Sequence, residues 1–169
     1  MRCPLSGVAA AAVALAMLTH GRAPAQSLPA GMAQYGHLVG GTWSCVTRVP
    51  ATPASPAHQD RSTAVFEVVA GGVVHDHIVA ADYSGDFYIG YDDRSGKYWM
   101  TGADSLGTNL SLTSSDGLHY TGTSSMGGLV MNDQATYGRD GPNRTEAHEV
   151  FTRPGVQATF DTVCTRAGP

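Results

Sequence analysis

The stretch LVGGTWSC, residues 38–45, decides the fold when it is read against VQATFDTVC, residues 156–164, near the other end of the chain. Gly40-Gly41 is poor helix material but bends readily into a strand. Beyond it Trp43 and Cys45 share one face by the two-residue period of a strand. In the late stretch Val156, Ala158, Phe160, Thr162 and Cys164 share one face by the same rule. Residues directly opposed on paired strands point the same way. A Cys45–Cys164 bridge therefore sets the first and last strands side by side, with both apolar sets inside. Trp43, a large apolar body with one donor to satisfy, is then expected to plug one end of the closed sheet.

The cysteine count supports that pairing. Cys3 lies in MRCPLSGVAAAAVALAMLTHGRAPAQS, which has an early Arg2, an apolar run from Val8 to Leu18 and the small-x-small site Ala23-Pro24-Ala25. The run is shorter than the ~20 residues that cross a bilayer, so residues 1–25 read as a cleaved signal peptide and not as a span. Cys45 and Cys164 remain, and one cysteine pair in an exported domain reads as one disulfide. The expected location is periplasmic or extracellular. The full chain has a net charge of −4, and the leader carries Arg2 and Arg22 without an acid, so the mature chain is more acidic still. An acidic chain does not track phosphates, which argues against nucleic acid, and it does not adhere to anionic lipid.

Residues 26–38 read as a leader with a short helical turn over 32–38, and residues 39–167 as one barrel domain. Strand-like runs rich in Val, Thr, Tyr and Phe fall at 40–48, 62–69, 73–80, 86–91, 97–102, 107–113, 118–124, 134–138, 145–152 and 157–165. Ala70-Gly71-Gly72, the loop 92–96, Ser115-Asp116-Gly117 and the loop 139–143 carry turn chemistry between them. Pro50, Pro53 and Pro56 mark a loop. Short joints imply neighbouring antiparallel strands, and closure removes the exposed edges. The expected architecture is all-β: a single up-and-down barrel of about 8–10 strands, with a disulfide at the seam.

Two frames in the chain resemble a known pattern. Gly41-Thr42-Trp43 is similar to the G-x-W start of lipocalin-like barrels. Gly90-Tyr91-Asp92, Tyr98, Asp104-Ser105 and Gly107 resemble the small exported bacterial proteins of the DUF1579 type, over about Gly40 to Arg166. That resemblance implies a lipocalin-like barrel, export from a bacterium and ligand binding as a class habit, and it supplies no catalytic residues. Nitrobindin-type haem barrels also begin with a G-x-W-like signature and hold iron through a late histidine; His148 is the late histidine here.

Candidate chemistry is sparse. In VVHDHIVA, residues 73–80, His75 and His77 share a strand face, and two imidazoles at that spacing can share a metal if a third ligand such as His119 or His148 joins them. The pattern leaves open which face of this strand points inward. Asp104-Ser105 lacks a G-x-S-x-G elbow and reads as a turn cap, and Asp92-Asp93 lacks the spacing of a calcium loop. No motif supports catalysis. Phe87, Tyr91, Tyr98 and Met100 are candidate lining residues, because barrels of this size are either filled or hold one small ligand. The leading expectation is a carrier for a small, mostly apolar molecule without a cofactor. A zinc or haem protein using His75, His77 or His148 is the alternative, and a filled structural barrel of the envelope is the third reading.

Overall fold

The structure is a computed structural model that describes residues 27–51 and 56–168. The leader read as a signal peptide lies outside the described residues. A 3-10 segment, Ala30–His37, precedes ten strands. They are β1 (Thr42–Val49), β2 (His58–Val69), β3 (Val73–Val79), β4 (Ser84–Asp92), β5 (Lys97–Asp104), β6 (Asn109–Ser114), β7 (His119–Met126), β8 (Leu129–Arg139), β9 (Arg144–Arg153) and β10 (Val156–Arg166). Each strand pairs antiparallel with the next, and β1 pairs with β10, so the sheet is a closed barrel. No helix among the described residues is long and apolar enough to cross a membrane.

The seam joins the stretches that carry the two cysteines. Cys45 and Cys164 are direct partners in the β1–β10 ladder, as are Trp43 and Arg166. The two cysteines are disulfide-bonded across 119 residues of chain. Gly40, at φ 77°, turns the chain into β1 in a conformation that costs an L side chain energy. The largest departure from the expected strands is β8. It begins at Leu129 and not at 134, because Gly127 and Gly128, both at positive φ, make a tight β7–β8 turn where the pattern implies a longer loop.

One end of the barrel is packed solid. The 3-10 segment sends Met32 and Tyr35 inside, and Leu38 follows them. Trp43 is completely buried, its Nε1 donates to the Leu38 carbonyl at 2.9 Å, and its ring meets Phe66 edge-on. The Arg166 guanidinium covers the same indole at 4.7 Å. The Tyr35 hydroxyl donates to the Gly117 carbonyl at 2.7 Å and shares a 2.5 Å hydrogen bond with Tyr120. Burial pushes the Tyr35 phenol up to about 12, so it stays a neutral donor. Each large apolar side chain buried here contributes about 1.5–3 kcal/mol.

The other end is built from different residues. It carries the turns after β3, β5, β7 and β9. Exposed apolar side chains gather there: Val79, Leu106, Leu129, Val130 and Val156.

Candidate functional site

Alternation on the strands settles the face that the sequence left open. Val74, Asp76 and Ile78 pair with Val68, Phe66 and Ala64 on one side, and with Ile89, Phe87 and Gly85 on the other. Val74, Ala64, Phe66 and Ile89 belong to the buried core, so this is the inner face. His75 and His77 therefore point outward.

On the outer face they meet a residue that the sequence pattern does not single out. Asp86 of β4 accepts from both: His75 Nε2 lies 2.8 Å and His77 Nδ1 2.8 Å from its Oδ1. The three side chains offer ligand atoms all within 4.8 Å of one another. The Tyr88 ring stacks on His75 at 4.8 Å. The hydrogen bonds from His75, then from His77, hold the Asp86 carboxyl below the usual range. His148 does not join them. It lies on β9, four strands around the barrel from β3, and pairs with Asp161 at 2.7 Å. His119 pairs with Asp116 at 2.8 Å instead.

The candidate lining residues divide between the two ends. Tyr91, Tyr98 and Met100 face inward but pack into the plugged end. Tyr98 donates to the Gly31 carbonyl at 2.9 Å, and its ring lies 4.8 Å from that of Tyr91. Met100 is buried and takes the Tyr137 hydroxyl on its sulfur at 3.5 Å. Phe87 faces the open half, where its ring lies in the space that Gly85 and Gly102 leave without a Cβ.

In that half the inner face mixes buried side chains, Ser124, Met131, Asp133 and Phe151, with partly exposed ones. Ile78, Phe87, Ala158 and Phe160 all point inward by register yet keep partial solvent contact. Three acids share the space: Asp76 on β3, Asp133 on β8 and Glu149 on β9. Asp133 and Phe151 are partners, and Glu149 pairs with Phe160 and Ala135, so all lie on the inner face. Ser124 donates to Asp133 Oδ2. Asp133 Oδ1 and Asp76 Oδ1 are buried without a hydrogen-bond partner.

Desolvation, with the Asp86 charge adding to it, pushes Asp76 up to about 7. Desolvation and the Asp133 charge do the same for Glu149, also to about 7, with the Tyr137 hydroxyl working the other way. Burial raises Asp133 too. Burial mainly raises the Tyr83 and Tyr137 phenols; the charges of Asp104, Glu149 and Asp76 add to the first, and those of Glu149, Asp76 and Asp133 to the second. Asp104 shares this inner face through the Ile78–Gly85–Asp104 register and acts on Tyr83, and it also caps a turn: its Oδ1 accepts from the Leu106 and Thr108 backbone N–H groups at 2.9 and 2.8 Å.

The sequence held a signal for two of these acids. Once Val74 and Ile78 are taken as the core face, Asp76 falls between them. Glu149 alternates in the same way with Ala147 and Phe151. Asp133 lies in a segment whose pattern reads as loop, so its face is undefined there.

The chain matches no protein-family model, and a comparison with curated proteins finds no match. Solved structures do resemble it. The crystal structure of Rv2717c from M. tuberculosis aligns with a TM-score of 0.57 at 14% identity, covering 84% of this chain and 100% of that one. The crystal structure of the ywiB protein from Bacillus subtilis aligns at 0.39 and 10% identity, over 76% and 91%. The likeness to Rv2717c is one of fold. It places the chain among small closed β-barrels and gives it no activity.

Proposed function

We propose that this chain is an exported binding module that holds one small molecule in the open half of its barrel. The observation that carries the reading is the asymmetry of the interior. At one end Trp43 and Tyr120 are buried with Tyr35 of the 3-10 segment, whereas the other half sets three acids, Asp76, Asp133 and Glu149, beside the rings of Phe87, Phe151 and Phe160, of which Phe87 and Phe160 keep partial solvent contact. Phe87, Phe151 and Phe160 give that half apolar walls, and the apolar fringe of Leu106, Leu129, Val130 and Val156 surrounds its mouth. Such a concave site with a few polar groups is the usual form of a small-molecule site. The apolar leader with its Ala23-Pro24-Ala25 site and the seam disulfide support export, and the G-T-W and G-Y-D frames support a place near lipocalin-like, DUF1579-type proteins. Native mass spectrometry of the mature chain purified from its own source tests the proposal. A resolved organic mass increment is expected; a bare polypeptide mass with no thermal shift across a panel of amphiphiles would refute it and favour a filled structural barrel.

A second reading rests on the outer cluster. His75, His77 and Asp86 supply three donors, and zinc is commonly held by three protein ligands and a water. Calorimetric titration with zinc, on chain free of any histidine tag, tests it. Binding lost in His77→Ala supports it, and binding unchanged in that variant refutes it.

A further inference from the structure

We propose that the molecule held in the open half is an organic cation, an ammonium or guanidinium group on an apolar body, recognised by Asp76, Asp133 and Glu149. This rests on the binding-module reading and specifies its ligand.

The first ground is the missing partners. A buried carboxylate oxygen without a hydrogen bond is costly, and buried carboxylates are normally paired with a cation or a metal. Asp133 is 1% exposed, and its Oδ1 has no partner. Asp76 Oδ1 has none either. A cation entering the chamber supplies what both lack.

The second ground is spacing. Among the described residues, the set whose donor atoms converge closely enough for one metal ion is His75, His77 and Asp86 on the outer face. The inner acids stand on three separate strands and do not form such a set. Their charge is spread around a volume, which suits an organic cation and not a single bare ion.

The third ground is the wall chemistry. Phe87 pairs with Asp76, Phe151 with Asp133 and Phe160 with Glu149, so each acid has an aromatic ring as its cross-strand neighbour. Rings beside carboxylates suit a group that is charged at one point and apolar around it. Among the inner-face cations, Arg166 lies over Trp43 in the plugged end, and Arg153, beside the β9–β10 turn, has a buried Nε without a hydrogen-bond partner and forms no ion pair among the described residues. Neither neutralises the acids.

Three matched probes test the inference: n-octylammonium, n-octanol and n-octanoate, titrated into the mature chain by calorimetry at pH 8. Octylammonium should bind at least about tenfold more tightly than octanol, the scale of one charge-assisted hydrogen bond in a desolvated site. Asp76→Asn and Glu149→Gln, made separately, should each cut octylammonium affinity by about tenfold while leaving octanol binding in place. Equal affinity for octanol and octylammonium overturns the cation inference but leaves the binding-module reading standing. So does tighter binding of octanoate, which would assign recognition to Arg153. Two folded variants that keep the wild-type preference for the ammonium probe also overturn it. Failure of all three probes to saturate counts against both readings.

Discussion

Asp76 and Glu149 make the stability of this barrel depend on pH in an unusual direction. Both side chains sit inside the open half, and burial lifts each to about 7. In the unfolded chain they titrate near their ordinary values of 3.8 and 4.5. Well below those values both states are protonated and neither acid costs anything. Between there and about pH 7 the unfolded chain releases protons that the folded chain still holds, so stability falls as pH rises. Above about pH 7 the full cost is present. A shift of about three units is worth about 4 kcal/mol for Asp76, and the smaller shift of Glu149 about 3 kcal/mol. The two costs do not simply add, because Asp133 interacts with Glu149.

Other groups do not cancel the slope. Asp86, Asp92 and Asp116 are held below their usual range by hydrogen bonds, so their contribution is present above the ordinary carboxylate range and is lost only as pH falls through it. His37 is lowered by burial and adds stability as pH rises, which opposes the slope with a single, half-buried ring. Urea unfolding followed by tryptophan fluorescence at about pH 5, 6, 7 and 8 should show a loss of at least about 3 kcal/mol across the range, a large share of the ~5–15 kcal/mol typical of a domain. Asp76→Asn and Glu149→Gln should each flatten the profile and raise stability at pH 8. A wild-type profile that is flat or rises from pH 5 to 8 would show that water in the chamber solvates both carboxylates, and the reasoning would fail. It would fail equally if Asp76→Asn kept the wild-type slope.

Three further outcomes follow from the fold. Reduction of the Cys45–Cys164 bridge releases a loop of 119 residues, for which chain-entropy arguments give about 5 kcal/mol; measured costs for native bridges run ~2–5 kcal/mol, and equal urea midpoints for oxidised and reduced protein would contradict that. Met32→Ala should destabilise by about 2–5 kcal/mol, since Met32 is 1% exposed within the plug, and a thermal melt within a degree of wild type would show that the plug does not hold the barrel together. On the second reading, in which the outer cluster holds zinc, the metal should raise the melting temperature of wild type but not of Asp86→Ala; no rise in wild type would refute that reading, and an equal rise in both would exclude Asp86 as a ligand.

The barrel was legible in the sequence because its signals are local and repeated. Alternation, Gly-containing turns and one cysteine pair define neighbouring antiparallel strands and the seam, and these needed no knowledge of tertiary contacts. The seam register itself, Cys45 opposite Cys164, was contained in the two stretches that carry the cysteines. The β7–β8 joint was harder, because Gly127-Gly128 turns the chain within two residues while the flanking Ser and Asn content reads as loop. The site was less legible for a different reason. His75 and His77 were visible as a same-face pair, but Asp86 reaches them only through the β3–β4 register. Which residues line a cavity and which fill a core depends on the plug. Tyr91, Tyr98 and Met100 look like lining until the 3-10 segment is placed against them.

The plug also bears on why three acids are tolerated in the interior at all. At neutral pH ionised Asp76 and Glu149 cost this barrel stability that neutral side chains in their places would not. The packed end offsets that cost: it holds the buried tryptophan, the Tyr35–Tyr120 hydrogen bond and, through the seam, the disulfide. Packing is concentrated at one end and unpartnered carboxyl groups at the other, the arrangement that the proposed ligand would complete. On that account the pH slope and the ammonium preference have one origin. Saturating octylammonium should then remove much of the stability difference between pH 5 and pH 8, because the bound cation supplies the partner that ionised Asp76 and Glu149 lack. Unfolding curves with and without the probe at both pH values decide the matter, and a gain from the probe no larger at pH 8 than at pH 5 would separate the two effects and break the link.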